Sequence, residues 1–305
     1  MIDRTYRVLG YDSLLEVLAR YASSPLGRAD CQSLKPSSDI TFIDYEFRLV
    51  SEMRLLLKVK GFISFSDLID ISPFLEKSEA DGSYLQPDDI ICILRLVKAS
   101  QQSKKLLRSQ QLLCPGLWGM VREASDFLDL AEAVENALSP GGEVRDSASS
   151  TLKRIRREKT RLRSDLHKKL EEMQRSAAIP GRGQDQQVIT VRGGRYVISL
   201  RSEYKGRIQG IVHDYSQTRT TCFLEPVEAI EHNNRLAELN EEEGEEIRRI
   251  LTRITDMIRE AAFDLKTAQA VIGRLDGIHA RARFSEAFSC IVPELSLIHI
   301  SEPTR

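Results

Sequence analysis

Two groups of side chains have types and spacings that could do chemistry, and both lie between Glu143 and Arg235. The first is cationic. From Arg145 to Arg175 eleven Lys and Arg stand against five carboxylates, and Arg192, Arg195, Arg201, Lys205, Arg207 and Arg219 follow. Such a surplus suits a phosphate backbone, where each neutralised phosphate releases counterions and binding weakens as salt rises. Charge and position select Arg192, Arg195, Arg201, Lys205, Arg207 and Arg219, with Arg154, Arg157, Arg161 and Lys168, as the nucleic-acid contacts. The competing reading of any one of these cations is the solvated face of a coiled coil. Aromatic residues among them are few (Tyr196, Tyr204, Tyr215, Phe223), which gives base stacking weak support and sequence-specific readout still less.

The second group is His213, Asp214, Glu225 and His232. These could form a metal or acid–base site, but metal-ligand spacing is absent, and polar packing at the foot of a small β module is the favoured reading. Elsewhere there is no GxxxxGK[ST], HExxH, GxSxG or dinucleotide fingerprint. Five scattered cysteines without a CxxC indicate reduced, cytosolic thiols and no zinc site. No catalytic residue, metal or cofactor is assigned within the chain.

The elements that must position these groups follow from hydrophobic spacing. At 305 residues, 41% hydrophobic and 29% charged, the chain has room for two domains but carries too many charged side chains for one thick core. Apolar residues from Leu9 to Ser109 recur at helical intervals. Ser24-Pro25, Lys35-Pro36 and Pro87-Asp88-Asp89 supply breaks and starts. A further helix is expected from about Leu117 to Leu138, stopped by Ser139-Pro140-Gly141-Gly142, so residues 1–142 read as a bundle of four to six helices.

Beyond it, Leu152, Ile155, Leu162, Leu166, Leu170 and Met173 form a narrow seam, the mark of a coiled-coil arm. Ile179 to Gly183 breaks that helix, and a period of two takes over. Val188, Thr190, Arg195, Val197, Ser199, Ile208, Ile211 and Thr220 to Leu224 read as short strands, with turns at Gly193-Gly194, Lys205-Gly206 and Gln217 to Arg219. After Pro226 a second arm runs from Ile247 through Leu275 and returns antiparallel to the first. Its Glu238, Glu241, Glu242, Glu243, Glu245 and Glu246 would lie beside the basic flank, fixing register more than stability. The fold class is mainly α: a helical bundle (1–142), an antiparallel coiled-coil pair of arms (143–276) carrying a small antiparallel β tip (about 186–226), and a return to the bundle (277–293).

Several ordered motifs then carry a resemblance. Glu143 to Ser149 leads into Leu152 and Ile155-Arg156-Arg157, followed by Gly194-Arg195-Tyr196-Val197-Ile198 and Gly210 to Ser216. Phe223-Leu224-Glu225-Pro226 and Asn233-Asn234 complete the set. Together they resemble the N-terminal half of the second bacterial MutS subgroup, as do Arg7-Val8-Leu9 and Leu34-Lys35-Pro36 near the start. The matching motif positions are Asp146, Tyr196, His213, Asp214, Glu225, Pro226, Asn233 and Asn234.

The resemblance implies a lever with an inserted clamp, two clamps of a homodimer closing on nucleic acid, and DNA or ribosomal RNA as partner. No apolar run approaches the roughly 20 residues a membrane span requires, so a cytoplasmic chain without membrane contact is expected. For the intact protein the resemblance implies suppression of homologous recombination and splitting of collided ribosomes, with ATP and Mg in an ATPase domain and a C-terminal nuclease. Neither domain is in this chain, which is expected to turn nothing over and is allowed as a monomer. Residues 294–305 read as a foreign or disordered tail, since Ser296 to Arg305 is similar to translated sequencing-adapter read-through. The alternative to a nucleic-acid clamp is a coiled-coil spacer or protein-tethering module whose charges only pair the arms.

Overall fold

Serine and proline start two of the helices where the sequence places them. In the computed structural model, which describes residues 8–60, 64–80, 82–177 and 189–293, the Ser24 hydroxyl accepts from Gly27 N at 3.1 Å and Pro25 opens the helix that follows. Pro87 does the same ahead of Asp88 and Asp89, whose carboxylates suit the positive end of the helix dipole. The expected start at Arg7, break at Ile179 to Gly183, strand residue Val188 and tail from Glu294 lie outside the described residues.

The chain divides into two compact units, one running through Glu143 and resuming at Leu251, the other Val144–Ile250. The first unit is helical: α1 (Tyr11–Ala19), α2 (Pro25–Gln32), α3 (Ile40–Lys60), α4 (Ser72–Ser78), α5 (Pro87–Ser109), α6 (Pro115–Val121) and α7 (Leu128–Ala137). Seven helices among the described residues exceed the four to six expected. One reason is that the helix expected over Leu117 to Leu138 is two. Lys104 of α5 donates to Ala124 O at 2.6 Å and pairs with Asp126 at 2.9 Å, Gln101 donates to Asp126 O, and Phe127 turns left-handed at φ 49°. Side chains some 20 residues upstream thus take the carbonyls that a continuous helix would use.

Leu49, Met53 and Leu56 of α3 and Ile90, Ile93, Leu96 and Val97 of α5 are wholly buried. The last helix of this unit, α10 (Ala262–Ala287), packs against α2, α3 and α5. It buries Leu265, Ala268, Ile272, Leu275 and Ile278 together with Gly273, Gly277 and Ala280. Such small residues let helices approach closely: a Cβ on Gly27 would sit 2.2 Å from Asp276 Oδ2, and one on Gly277 1.9 Å from Asp30 Oδ2. The expected clamp, reaching Asp276, is therefore too long. A spacing of 3 and 4 is the same whether a helix faces one partner or a bundle, and here Ile254 to Leu275 faces the bundle. All five cysteines are free; burial pushes the Cys31 thiol up to about 12 and the Cys114 thiol up to about 11.

The second unit pairs α8 (Ser150–Ala177) with the first part of α9 (Val227–Glu260). Ser149 caps α8 by accepting from Leu152 N at 2.9 Å. Ser149 and Arg156 bond to Glu246 and Glu243, whereas Glu158 meets Arg235, so the helices run antiparallel. Leu152, Ile155, Leu166 and Leu170 are buried in the seam, with Leu162 and Met173 half-buried.

Between the helices lie β1 (Ile189–Arg192), β2 (Arg195–Arg201), β3 (Gly210–Tyr215) and β4 (Thr221–Pro226), an antiparallel sheet in the order β1-β2-β4-β3. Gly193 and Gly194, at φ 57° and 79°, close the β1–β2 hairpin as the two-residue turn requires. Ile198, Leu200, Cys222 and Leu224 pack on Leu166 and Leu170 of α8 and Ala229 and Leu236 of α9. Residues Ser202–Arg207 form a 3-10 helix in place of the expected turn, and Ile208 is buried outside any strand. In β3 the register shifts between Val212 and Asp214, leaving His213 as the extra residue of a bulge.

Candidate nucleic-acid interface

The fold sorts the cations of α8 into two sets. Arg156 and Lys159 meet the acidic block of α9. Arg156 Nε lies 2.7 Å from Glu243, its Nη1 2.5 Å from Asp146 and 2.8 Å from Val144 O, and Lys159 pairs with the other Glu243 oxygen. Burial would raise the Glu243 pKa, but the bonds from Lys159 and Arg156 outweigh it and hold the carboxyl below its ordinary value. Arg235 reinforces the pairing from α9, reaching Glu158 at 2.9 Å, Glu242 at 2.8 Å and Glu238 at 3.1 Å. The acidic block thus lies along the basic flank, as its charge pattern suggests.

The other set faces outward. Arg154, Arg157, Arg161 and Lys168 fall within about 60° of one another at 3.6 residues per turn, and all four are exposed. Arg154, Arg157 and Arg161 line a shallow groove of about 540 Å³ with Ser150, Lys153 and Glu158. Arg154 has Glu158 at 3.4 Å and Glu242 at 4.0 Å, and Arg161, 86% exposed, has Asp165 at 3.8 Å. Lys153, Arg157 and Lys168 have no ion pair among the described residues.

On the sheet, Arg192 lies over the Phe223 ring at 4.3 Å with Asp214 at 4.0 Å, and Arg207 lies over Tyr204 at 5.1 Å. Arg201 is 3.9 Å from Glu203, while Lys205 and Arg219 are exposed without an ion pair among the described residues. Arg195 does not belong with them. Its Nε bonds both Glu225 oxygens at 2.9 and 2.8 Å and its Nη2 donates to Asn234 Oδ1 at 2.6 Å, so its charge is held inside the unit. Charge alone placed it among the phosphate contacts; its partners, 30 and 39 positions away, are not legible from charge.

Glu225, with only 1% of its side chain exposed, is the centre of a closed network. Besides Arg195 it accepts from Asn233 Nδ2 at 2.8 Å and lies 2.6 Å from His213 Nε2. Asn233 also pairs with the Tyr196 backbone, accepting from N at 2.9 Å and donating to O at 3.0 Å. Strands β2, β3 and β4 are thereby tied to the first turns of α9. The bulge brings His213 to this carboxylate, whereas Asp214 is exposed and bonds Tyr215 N, and His232 Nδ1 is buried without a partner. The suspected four-residue site is not assembled: only His213 and Glu225 meet, and no group of three ligating side chains occurs among the described residues.

Burial pushes the Glu225 pKa up, but the bonds from Arg195, Asn233 and His213, with the Arg195 charge, bring it below the ordinary 4.5. Because the folded value is depressed, this contribution is complete above about pH 4.5 and is lost as pH falls through the folded pKa. Hydrogen exchange corrected for intrinsic rates should show β2–β4 protection declining below pH 4.5, and Glu225→Gln should flatten that decline.

The fold and this site define a mainly α protein in which a helical unit is interrupted in sequence by a unit of two paired helices and a four-stranded antiparallel sheet, with exposed cations on one helix. No family model matches the chain. Individual proteins do. It is 31% identical over 299 residues to "Endonuclease MutS2" of Halalkalibacterium halodurans, covering 97% of this chain and 38% of that protein. The proteins of the same name from Alkaliphilus oremlandii and Symbiobacterium thermophilum are 31% and 32% identical over 298 and 296 residues, each match covering 97% of this chain, and 38% and 37% of those proteins respectively. The chain belongs to the MutS2 family and aligns with its N-terminal portion, spanning about 38% of the length of the curated relatives it matches. No helix among the described residues is long and apolar enough to cross a membrane.

Proposed function

We propose that this chain is the lever and clamp of a MutS-type protein and that the outer face of α8 holds a nucleic-acid backbone, duplex DNA or ribosomal RNA. The observation that carries this reading is the sorting of cations: those facing α9 are neutralised, while Lys153, Arg157 and Lys168 stay exposed and unpaired among the described residues. Phosphate contact without base readout suits a clamp whose work is to enclose. In the whole protein, a homodimer using ATP and Mg through a further domain would close two such clamps, and recombination suppression and splitting of collided ribosomes would follow from that closure. With no phosphate-cradling motif of its own, this chain would bind and not hydrolyse.

The test is charge reversal. Arg157→Glu with Arg161→Glu should weaken binding of a duplex DNA or a ribosomal RNA fragment by one to two orders of magnitude and reduce the slope of log K against log salt by about two. Fluorescence anisotropy across a salt series checks this. Unchanged affinity and slope would favour the spacer reading, which the pairing of Arg156 and Lys159 with Glu243 supports on its own account.

A further inference from the structure

Residues 201–207 and 216–221 lie together at one end of the sheet, where Arg201 of β2 stands opposite Thr221 of β4. Ser202 joins them, its N donating to Thr220 O at 2.9 Å and its Oγ to Arg219 O at 2.6 Å. The two segments carry Arg201, Lys205, Arg207 and Arg219 against a single carboxylate, Glu203. Glu203 lies 3.9 Å from Arg201, and Arg207 lies over the Tyr204 ring. Lys205 and Arg219 are exposed and have neither kind of partner among the described residues. Arg219 also has a constrained backbone. It sits at φ 55°, in the left-handed region that favours glycine and asparagine. Its N donates to Ser216 O at 2.8 Å while Ser202 holds its carbonyl, so the turn fixes the backbone without using the guanidinium. Two other described residues besides glycines have positive φ. Ser289 follows α10, where a left-handed residue is a common stop, and Phe127 is half-buried at the break before α7. For Arg219 neither packing nor an ion pair among the described residues accounts for an arginine. Strain of this kind persists at positions whose side chain serves something other than folding.

We propose that this end of the sheet is a second surface for backbone phosphates of a nucleic acid, with Arg219 as its pre-set contact and Lys205 as a further one. Thr218 and Thr220, exposed with their hydroxyls 2.8 Å apart, supply neutral donors of the kind that phosphates also accept. A backbone fixed before the ligand arrives loses less conformational freedom on binding, which is what the strained turn provides. The proposal rests on the reading of the second unit as a nucleic-acid clamp and adds a contact separate from the outer face of α8.

Arg219→Asn separates the two roles of this position, because asparagine accepts a left-handed backbone and carries no charge. In the full chain it should raise the thermal unfolding midpoint by about 2 to 4 °C. It should also weaken binding of a mixed-sequence duplex DNA by about threefold to tenfold at about 100 mM salt and lower the slope of log K against log salt by about one. Lys205→Gln, at a position without strain, should lower the slope by about one with no gain in midpoint, and Arg219→Lys should keep most of the affinity. A higher midpoint for Arg219→Asn with unchanged affinity and slope would overturn the proposal, since the arginine would then be no more than an ill-fitting turn residue. A lower midpoint would overturn it too, by giving the side chain a structural role.

Comparison with Arg157→Glu, Arg161→Glu under the same conditions tells the two surfaces apart. If reversal on α8 weakens binding and Arg219→Asn and Lys205→Gln do not, the sheet surface falls and the α8 reading stands. If only the sheet variants weaken it, the sheet surface stands and the α8 reading falls. An unaltered chain that does not bind the duplex at low salt overturns both.

Discussion

Glu225→Ala is expected to destabilise the second unit by about 3 to 5 kcal/mol, the range for removing one partner of a buried charge network. The carboxylate receives Arg195, Asn233 and His213 at 2.6 to 2.9 Å. Alanine would leave a guanidinium, an amide and an imidazole without their acceptor, in a site too enclosed for water to replace it fully. The Arg195 side chain is 27% exposed, which allows some rehydration and points to the lower half of the range. Glu225→Gln should be milder, since one amide oxygen still accepts. Hydrogen exchange on the whole chain should localise the loss to β2, β3, β4 and the first turns of α9, with the amides of α5 and α10 unaffected. Uniform loss throughout the chain, or none, would contradict this account.

In the first unit, Gly27→Ala should be more damaging than Gly277→Ala, although its clash is the slightly longer one. Both new methyl groups would strike a carboxylate, at 2.2 Å from Asp276 Oδ2 and 1.9 Å from Asp30 Oδ2. What differs is whether the carboxylate can yield. Asp276 is wholly buried and accepts from Ser23 N at 3.0 Å and from Ser24 N and Ser24 Oγ at 2.7 Å each. Burial raises the Asp276 pKa, yet bonds from His279, Ser23 and Ser24 prevail and keep it low, so the site is built around the charge.

Asp30 has Arg274 only at 3.8 Å and an Oδ2 without a partner, and burial drives its pKa up. It is the looser of the two. Overpacking alone costs about 1 to 3 kcal/mol, which is the expectation for Gly277→Ala. Displacing Asp276 adds the penalty of a broken buried network, so Gly27→Ala should reach about 3 to 5 kcal/mol. Thermal unfolding of the two variants gives the order, and a reversed order would show that Asp30 is the better anchored carboxylate.

Much of the fold is legible because local rules and tertiary packing agree. Ser24-Pro25 and Pro87-Asp88-Asp89 act where they stand, and the seam from Leu152 to Met173 has the narrow face of an arm. Agreement fails where distant side chains decide. Nothing between Val121 and Leu128 announces the break that Lys104 and Gln101 impose. The seam beyond Ile250 has the same spacing as the arm, and only its glycines and alanines, Gly273, Gly277 and Ala280 among them, hint at a bundle. At the candidate site, the four cations that charge selects on α8 share its outward face, whereas Arg195 is engaged by Glu225 and Asn234 from other elements, which charge does not reveal. Asn233 and Asn234 stand out in the sequence only as a family motif, while their bonds to β2 give that motif its physical content.

The bulge in β3 has a second consequence. Among the described residues this strand pairs with β4 alone, so its other edge has no strand beside it where the side chains of Ile211 and Tyr215 are exposed. A regular apolar edge of that kind is a template for strand addition between molecules and a route to aggregation. The extra residue at His213 spoils the template, because a bulged edge twists and loses the even spacing an incoming strand would need. One insertion therefore both completes the buried network and protects the sheet from self-association.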